Sequence, residues 1–563
     1  MIRSSDGLSR RTMIKGAGAA GAMAGLPMLG NRAHAAFQDA TPVAGGTLIY
    51  GNSPPAQPII SPLSTGGTGQ NVLIEAMFIR LVYGRKWGDG INPDPSQTEL
   101  ELAVADSITE IEPDRVWEFT IREGVLWHDG TPVTVDDVIF GIWLSLNKNS
   151  GAANETPVVG ILGGDRLMEE GAAVGDISVE GATKIGDRGL RIELVNPIPN
   201  YWVNWNVGYW PYPLHIFGET PFEDLWSGPE MTMPIGNGPF KAVQYVEGQY
   251  MEMDANPDFF AGKPLVDKFI VRFGDADTLT AALEAGEIHG MSVGAGPVFD
   301  RLTSLDNIIG NPVPRDHPDG FWVNRERWPD QGAALTKATM YAIDVPTINE
   351  QLSSGTLRPS NYLFGHVVGL ETPPEGFPTY EYDPDAARSV LEEAGWDSNT
   401  ELEWMVWSPP TPTYDAMAAM LADVGIKTAY KQIDVATIYD ELYIEKNYDI
   451  AYGNFGAAQS MLDNWRYIKC GWDYETGGWN SSGYCNEEVD TLWQAALDEP
   501  DWDAAVPIWN EVSLALAEDP PQGTLSRGSV GYVWSDKVQG AYPYQYRLPV
   551  RNAFEKVWLT SDE

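Results

Sequence analysis

The sequence predicts a mixed α/β (α+β) chain of more than one domain, and three observations carry that prediction. Its 563 residues exceed what a single hydrophobic core usually serves, so two or three domains are expected. Hydrophobic residues make up 43%, which suits a globular chain able to bury a sizeable core. Segments of strand period and helix period alternate along the chain.

The stretch from Trp117 to Phe140 shows that alternation. Trp117, Phe119 and Ile121 alternate with Glu118, Thr120 and Arg122, the period of a half-buried strand. Gly124 breaks the strand, and Val125-Leu126-Trp127 is a second short apolar run. Asp129-Gly130-Thr131-Pro132 is turn chemistry, because Asp-Gly favours positive φ and Pro fixes the exit. Thr134 fits a helix N-cap, with Asp136 and Asp137 in the first turn, where carboxylates favour the helix dipole. Elsewhere Gly46 to Gly51 reads as a first strand and Leu73 to Tyr83 as an amphipathic helix. Lys268 to Phe273 reads as a strand, and Asp277 to Gly286 as a helix. Asn147 to Gly189, rich in glycine and polar residues, reads as a surface insertion.

The formal net charge of −43 argues against nucleic acid or anionic membrane as partners. It suits a solubilising surface. The two cysteines, Cys470 and Cys485, point to a local disulfide in an oxidising compartment, the alternative being two free buried thiols. Arg10-Arg11 precede a weakly apolar run, and Ala33-His34-Ala35 supplies small residues for cleavage, so residues 1–35 resemble a twin-arginine (Tat) export signal. The apolar run is too short for a membrane span, and no later stretch is long and apolar enough for stable insertion. Export makes the bridged state the stronger reading of the cysteines.

Three strings carry a resemblance to a known family. The first is Trp117 to Phe140 itself. The second is Pro234-Ile235-Gly236-Asn237-Gly238-Pro239-Phe240-Lys241, and the third is Tyr341-Ala342-Ile343-Asp344. They resemble the family 5 (cluster C) extracellular solute-binding proteins of ABC importers, the peptide- and nickel-binding type. Shorter matches at Asp383 to Gly395, Gly425-Ile426-Lys427, Asn486 to Leu492 and Pro507 to Glu518 extend the resemblance over nearly the whole mature chain. It implies a two-lobe periplasmic-binding-protein type II fold with an extra α/β domain, closing on a solute. The expected division is signal 1–35, linker 36–45, first lobe 46–95, extra domain 96–200, first lobe again 201–275, second lobe 276–520 and a return to the first lobe at 521–563.

The resemblance also implies site residues. Asn52 and Ser53 follow the first strand, where relatives face the cleft. Trp322, Trp407, Asn454, Phe455, Trp465 and Trp479 fall where relatives line it. Peptide-binding relatives carry an aspartate for the ligand's ammonium group, but here Ala457 or Ala458 holds that place, and Asp463 could substitute only if the loop is rebuilt. With 21 tryptophans in the chain, an oligosaccharide therefore competes with an oligopeptide as the solute. Nickel is disfavoured because the histidines are scattered, and Asp89, Asn92 and Asp94 depart from a calcium loop. No nucleophile elbow, phosphate loop or zinc motif is present, so no catalytic set and no cofactor are expected. His128 and Asp129 are expected to hold their own turn and touch no solute. The expected partners are the solute and the permease subunits of an ABC transporter, with the protein itself a monomer. The rival of another class is an exported acidic hydrolase such as a glycosidase.

Overall fold

A computed structural model describes residues 42–55, 57–63, 70–83, 100–152, 160–198, 209–294, 296–314, 318–365, 370, 372–406, 410–434, 437–438, 440–454, 461–473, 478–499, 501–541 and 554–560. The expectations for the export signal, for Asp89 to Asp94 and for Trp407, Phe455, Ala457 and Ala458 lie outside these residues.

A seven-stranded sheet forms the first lobe. Its strands run, side by side, Ile308–Pro314, Ser529–Ser535, Gly290–Gly294, Thr47–Asn52, Lys268–Phe273, Tyr250–Ala255 and Phe240–Val246. The second lobe holds a six-stranded sheet in the order Arg358–Pro359, Gln522–Arg527, Asp319–Val323, Ile450–Asn454, Glu401–Val406 and Lys427–Gln432. A four-stranded antiparallel sheet, Ala105–Glu112, Val116–Ile121, Gly189–Glu193 and Ala182–Ile185, makes the extra domain. The chain crosses between the two large sheets twice, from Pro314 to Asp319 and from Arg527 through Gly528 to Ser529.

The stretch expected as the second lobe, 276–520, begins with elements that pack on or pair with the first sheet. The helix Ala276–Glu284 packs Leu279 and Leu283 against Ile288, Met291 and Val533 of the first lobe. The strands Gly290–Gly294 and Ile308–Pro314 then hydrogen-bond into the first sheet. The strand Gln522–Arg527 pairs with Asp319–Val323 of the second sheet before the chain returns. Local patterning cannot reveal such sheet membership, because the partners lie hundreds of residues away.

Other elements match or depart for visible reasons. The strand Lys268–Phe273 has the expected bounds and alternates half-buried and buried residues. The helix expected over Leu73 to Tyr83 is Asn71–Met77. It stops because Phe78 turns extended, with φ −127° and ψ 146°, and the Asn237 side chain takes the Ile79 N–H at 2.8 Å. Tyr83 instead joins the short strand Val82–Tyr83. Within the expected surface insertion, Asn147 to Gly189, lie the helix Gly164–Glu169 and the strand Ala182–Ile185, which pairs with Gly189–Glu193.

Candidate functional site

Parallel pairing gathers the C-terminal ends of Thr47–Asn52, Lys268–Phe273 and Gly290–Gly294 at one rim of the first sheet. Pro314 and Ser529 pair at that rim. On the second sheet Asp319 stands opposite Asn454 on one side and Ser526 on the other. The strand Glu401–Val406 runs parallel to Ile450–Asn454 and ends toward that rim. Because both crossings join these two rims, the rims face one another. Ligands of open α/β sheets bind outside the carboxyl ends of their strands, which makes this crossing the candidate site.

Asn52 is half-buried and Ser53 exposed at the first rim. The Asn52 carbonyl accepts the Gly274 N–H at 3.2 Å, fixing the end of the strand. The backbone of Asn454 ends its strand at the second rim, and its side chain lies outside the described residues. Asp319 and Arg527, both 6% exposed, sit at the crossings. The Arg527 guanidinium donates to Ser360 Oγ at 3.2 Å, Tyr362 O at 2.8 Å and Leu363 O at 3.0 Å. No local pattern marks either residue, since pairing alone brings them to the rim.

Two of the expected tryptophans, Trp322 and Trp465, are buried. Trp322 is buried with Met405, Leu442, Tyr448 and Ala451 behind the second sheet. Trp465 is buried at 4% exposure, nearly parallel to Trp493 at 6.2 Å between centroids, and its indole N–H donates to Asp490 Oδ1 at 2.8 Å. Trp479 is half-buried, edge-on to Tyr443 at 5.0 Å and stacked with Tyr467 at 6.4 Å. Trp465 lies in the helix Met461–Arg466, ahead of the Cys470–Cys485 disulfide, and Trp479 lies within the segment that this disulfide closes across a separation of 15 residues.

The two most specific sequence strings meet each other. Gly236 donates its N–H to His128 Nδ1 at 3.1 Å, and His128 Nε2 lies 3.1 Å from Gly238 O. A Cβ at Gly236 or Gly238 would run into the backbone of Met77, so this close approach requires glycine. Burial pushes the His128 pKa from 6.5 down to about 4. Asp129 accepts the Thr131 N–H at 2.9 Å and meets His215 at 2.8 Å. These residues join the extra domain to the first lobe. Among the described residues no group of three or more His, Cys, Asp or Glu could hold a metal ion. No described helix is long and apolar enough to cross a membrane.

Residues 99–472 match the family model described as "Bacterial extracellular solute-binding proteins, family 5 Middle". Residues 7–27 match the twin-arginine translocation pathway signal sequence. A Brucella ovis protein named for peptide binding in an ABC transporter is 31% identical over 366 residues, covering 61% of this chain and 63% of that protein. The chain thus spans under two thirds of that relative's length. The oligopeptide-binding protein AppA of Bacillus subtilis is 25% identical over 506 residues, 82% of this chain and 84% of AppA. The structure of AppA in complex with a nonapeptide superposes with a TM-score of 0.73 at 21% identity, covering 92% of this chain and 100% of AppA.

Proposed function

The chain belongs to the bacterial extracellular solute-binding proteins of family 5 and carries a Tat signal, and from that premise we propose that it captures an oligopeptide between its lobes and delivers it to the permease of an ABC importer. The observation that carries the peptide reading is the AppA relationship, which runs over 82% of this chain. The facing rims supply a place for an extended ligand. Asn52 and Ser53 offer hydrogen bonds from the first rim. The strand end at Asn454 offers backbone groups from the second. Trp407 and Phe455, which directly follow Val406 and Asn454 in the chain, are the aromatic contacts in this reading, with Trp479 at the periphery.

The mechanism is enclosure. Apolar faces stack on the ligand's side chains while rim groups satisfy its backbone, and closing excludes water from both. In this reading the protein binds without turnover. A melting screen of peptides against oligosaccharides tests it. At a ligand concentration 100 times Kd, binding stabilises by about 2.7 kcal/mol, a clear upward shift in Tm. Peptides are expected to shift Tm and to be recovered intact. Hydrolysed products, or a shift for glycans and none for peptides, would overturn the proposal.

A further inference from the structure

The pairing of Arg358–Pro359 with Gln522–Arg527 sets two arginines directly opposite each other, Arg358 and Arg527. The pair lies at the edge of the second sheet, and Arg527 is the last residue before the crossing at Gly528. Residues opposite one another in an antiparallel pair stand about 4.5–5.5 Å apart at Cβ and share a face. Like charges in that relation repel, and an anion shared by both relieves the repulsion. Such a pair runs against the composition, since the chain has 36 Lys and Arg against 79 Asp and Glu.

The two arginines are set differently. Arg527 is buried, and its guanidinium donates to Ser360 Oγ, Tyr362 O and Leu363 O, neutral oxygens that orient the group without cancelling its charge. Arg358 is exposed, within reach of a solute, and Pro359 restricts it to extended backbone. The Ser360 N–H donates to Leu525 O at 3.0 Å, and the Ser529 hydroxyl donates to Thr356 O at 3.2 Å. Residues 356–363 are thereby fastened to the crossing from both of its sides. One strand further in, Asp319 stands opposite Ser526. From the sheet edge inward the rim is therefore positive, then negative.

We propose that Arg358 and Arg527 form the subsite that takes the terminal carboxylate of a bound peptide. The inference rests on the reading of a peptide held between the rims, and adds to it which end is recognised and which way the chain runs. A planar guanidinium offers a carboxylate two parallel N–H donors, which fixes its position as well as its charge. Arg527 supplies a charge held in place, and Arg358 supplies a fork open to solvent. Asp319 repels a carboxylate placed further in, so the C-terminus stays at the sheet edge and the rest of the peptide runs inward past Asp319 and Asn454. Closing the lobes removes water from the rim and strengthens the attraction.

Melting curves of the exported protein with two peptide libraries test the subsite. Both are mixed nonapeptides, the length held in the AppA structure, made without aspartate or glutamate. One library ends in a free carboxylate and the other in an amide. Wild type should need about ten-fold more of the amide for the same rise in Tm, the worth of one charge-assisted contact. Arg358→Gln should remove most of that difference, and Arg358→Lys, which keeps the charge without the fork, should restore part of it. Arg527→Gln should act like Arg358→Gln; circular dichroism shows whether it folds, and the exposed Arg358 variants carry the test if it does not. Equal responses of wild type to acid and amide, or an acid preference that survives Arg358→Gln intact, would overturn the subsite while leaving the peptide reading in place. A third library, amidated and with glutamate restored, locates the carboxylate. If only that library depends on Arg358, the anion comes from a side chain and the terminal assignment falls. A wild type that responds to no library removes the peptide reading, and the subsite with it.

Discussion

His128 accepts a backbone N–H at Nδ1 and faces a carbonyl at Nε2, so the ring must be neutral with its hydrogen on Nε2. Protonating Nδ1 would set a second N–H against Gly236. In the unfolded chain His128 takes up a proton near 6.5, but in the folded chain only near 4. Between those values the unfolded state binds more protons. Its contribution is therefore complete above pH 6.5 and is lost as pH falls toward 4. At 1.36 kcal/mol per pH unit the loss is about 3 kcal/mol, a ceiling because the ring keeps some contact with solvent. Urea unfolding of wild type and His128→Gln at pH 7 and pH 5 measures it. The wild type should lose more stability than the variant on acidification, and equal losses would remove His128 from the account. Trp465 supplies a second test at this scale. Trp465→Ala should destabilise by about 3–5 kcal/mol, as for a buried aromatic, and leave the peptide Kd of the folded fraction unchanged. A weakened Kd at unchanged stability would restore the role of ligand platform. The sequence made both residues conspicuous without saying which way they face. A histidine clamp and a ligand-facing histidine share one local pattern, as do a packed and an exposed tryptophan.

Helix starts were far more legible, because caps are local chemistry. Thr134 and Asp137 form a capping box, with the Thr134 N–H on Asp137 Oδ2 at 2.7 Å. Asp137 also accepts the Leu214 N–H at 3.0 Å, so the cap ties the helix Val135–Leu146 to the next segment. Asp275, Asp344, Asp383 and Asp501 cap four more helices, so part of the chain's acidity has structural work. Thr134→Ala is expected to cost about 1 kcal/mol, read as a lowered urea midpoint with an unchanged slope. The Cys470–Cys485 bridge was equally readable from two isolated cysteines in an exported chain. Replacing both by serine should cost about 3 kcal/mol in the chain-entropy account for a loop of this length. No change in midpoint would mean that the tryptophan contacts suffice to hold the loop. Element ends were harder to read. The helix Pro384–Glu393 starts at an Asp383 cap inside the matched stretch Asp383 to Gly395, whereas Asn71–Met77 is cut short by a side chain from residue 237.

Over the whole molecule, what escaped the sequence is non-local. Helix Ala276–Glu284 is patterned like any amphipathic helix, and only its packing partners assign it to the first lobe. Asp319 and Arg527 become rim residues only because the strands bearing them pair at the crossing. Charge is the global property that can be read directly, and it makes a global prediction. At a net charge of −43 the folded chain repels itself, and expansion on unfolding relieves that repulsion. Salt at 1 M shortens the screening length to about 3 Å and removes most of the penalty from the folded state. The urea midpoint should therefore rise steadily from 0.02 M to 1 M sodium chloride. Salt should thus make the molecule harder to unfold. A urea midpoint that falls with salt would mean that attractive pairs such as Arg115–Glu193 and Arg327–Asp449 outweigh the net repulsion.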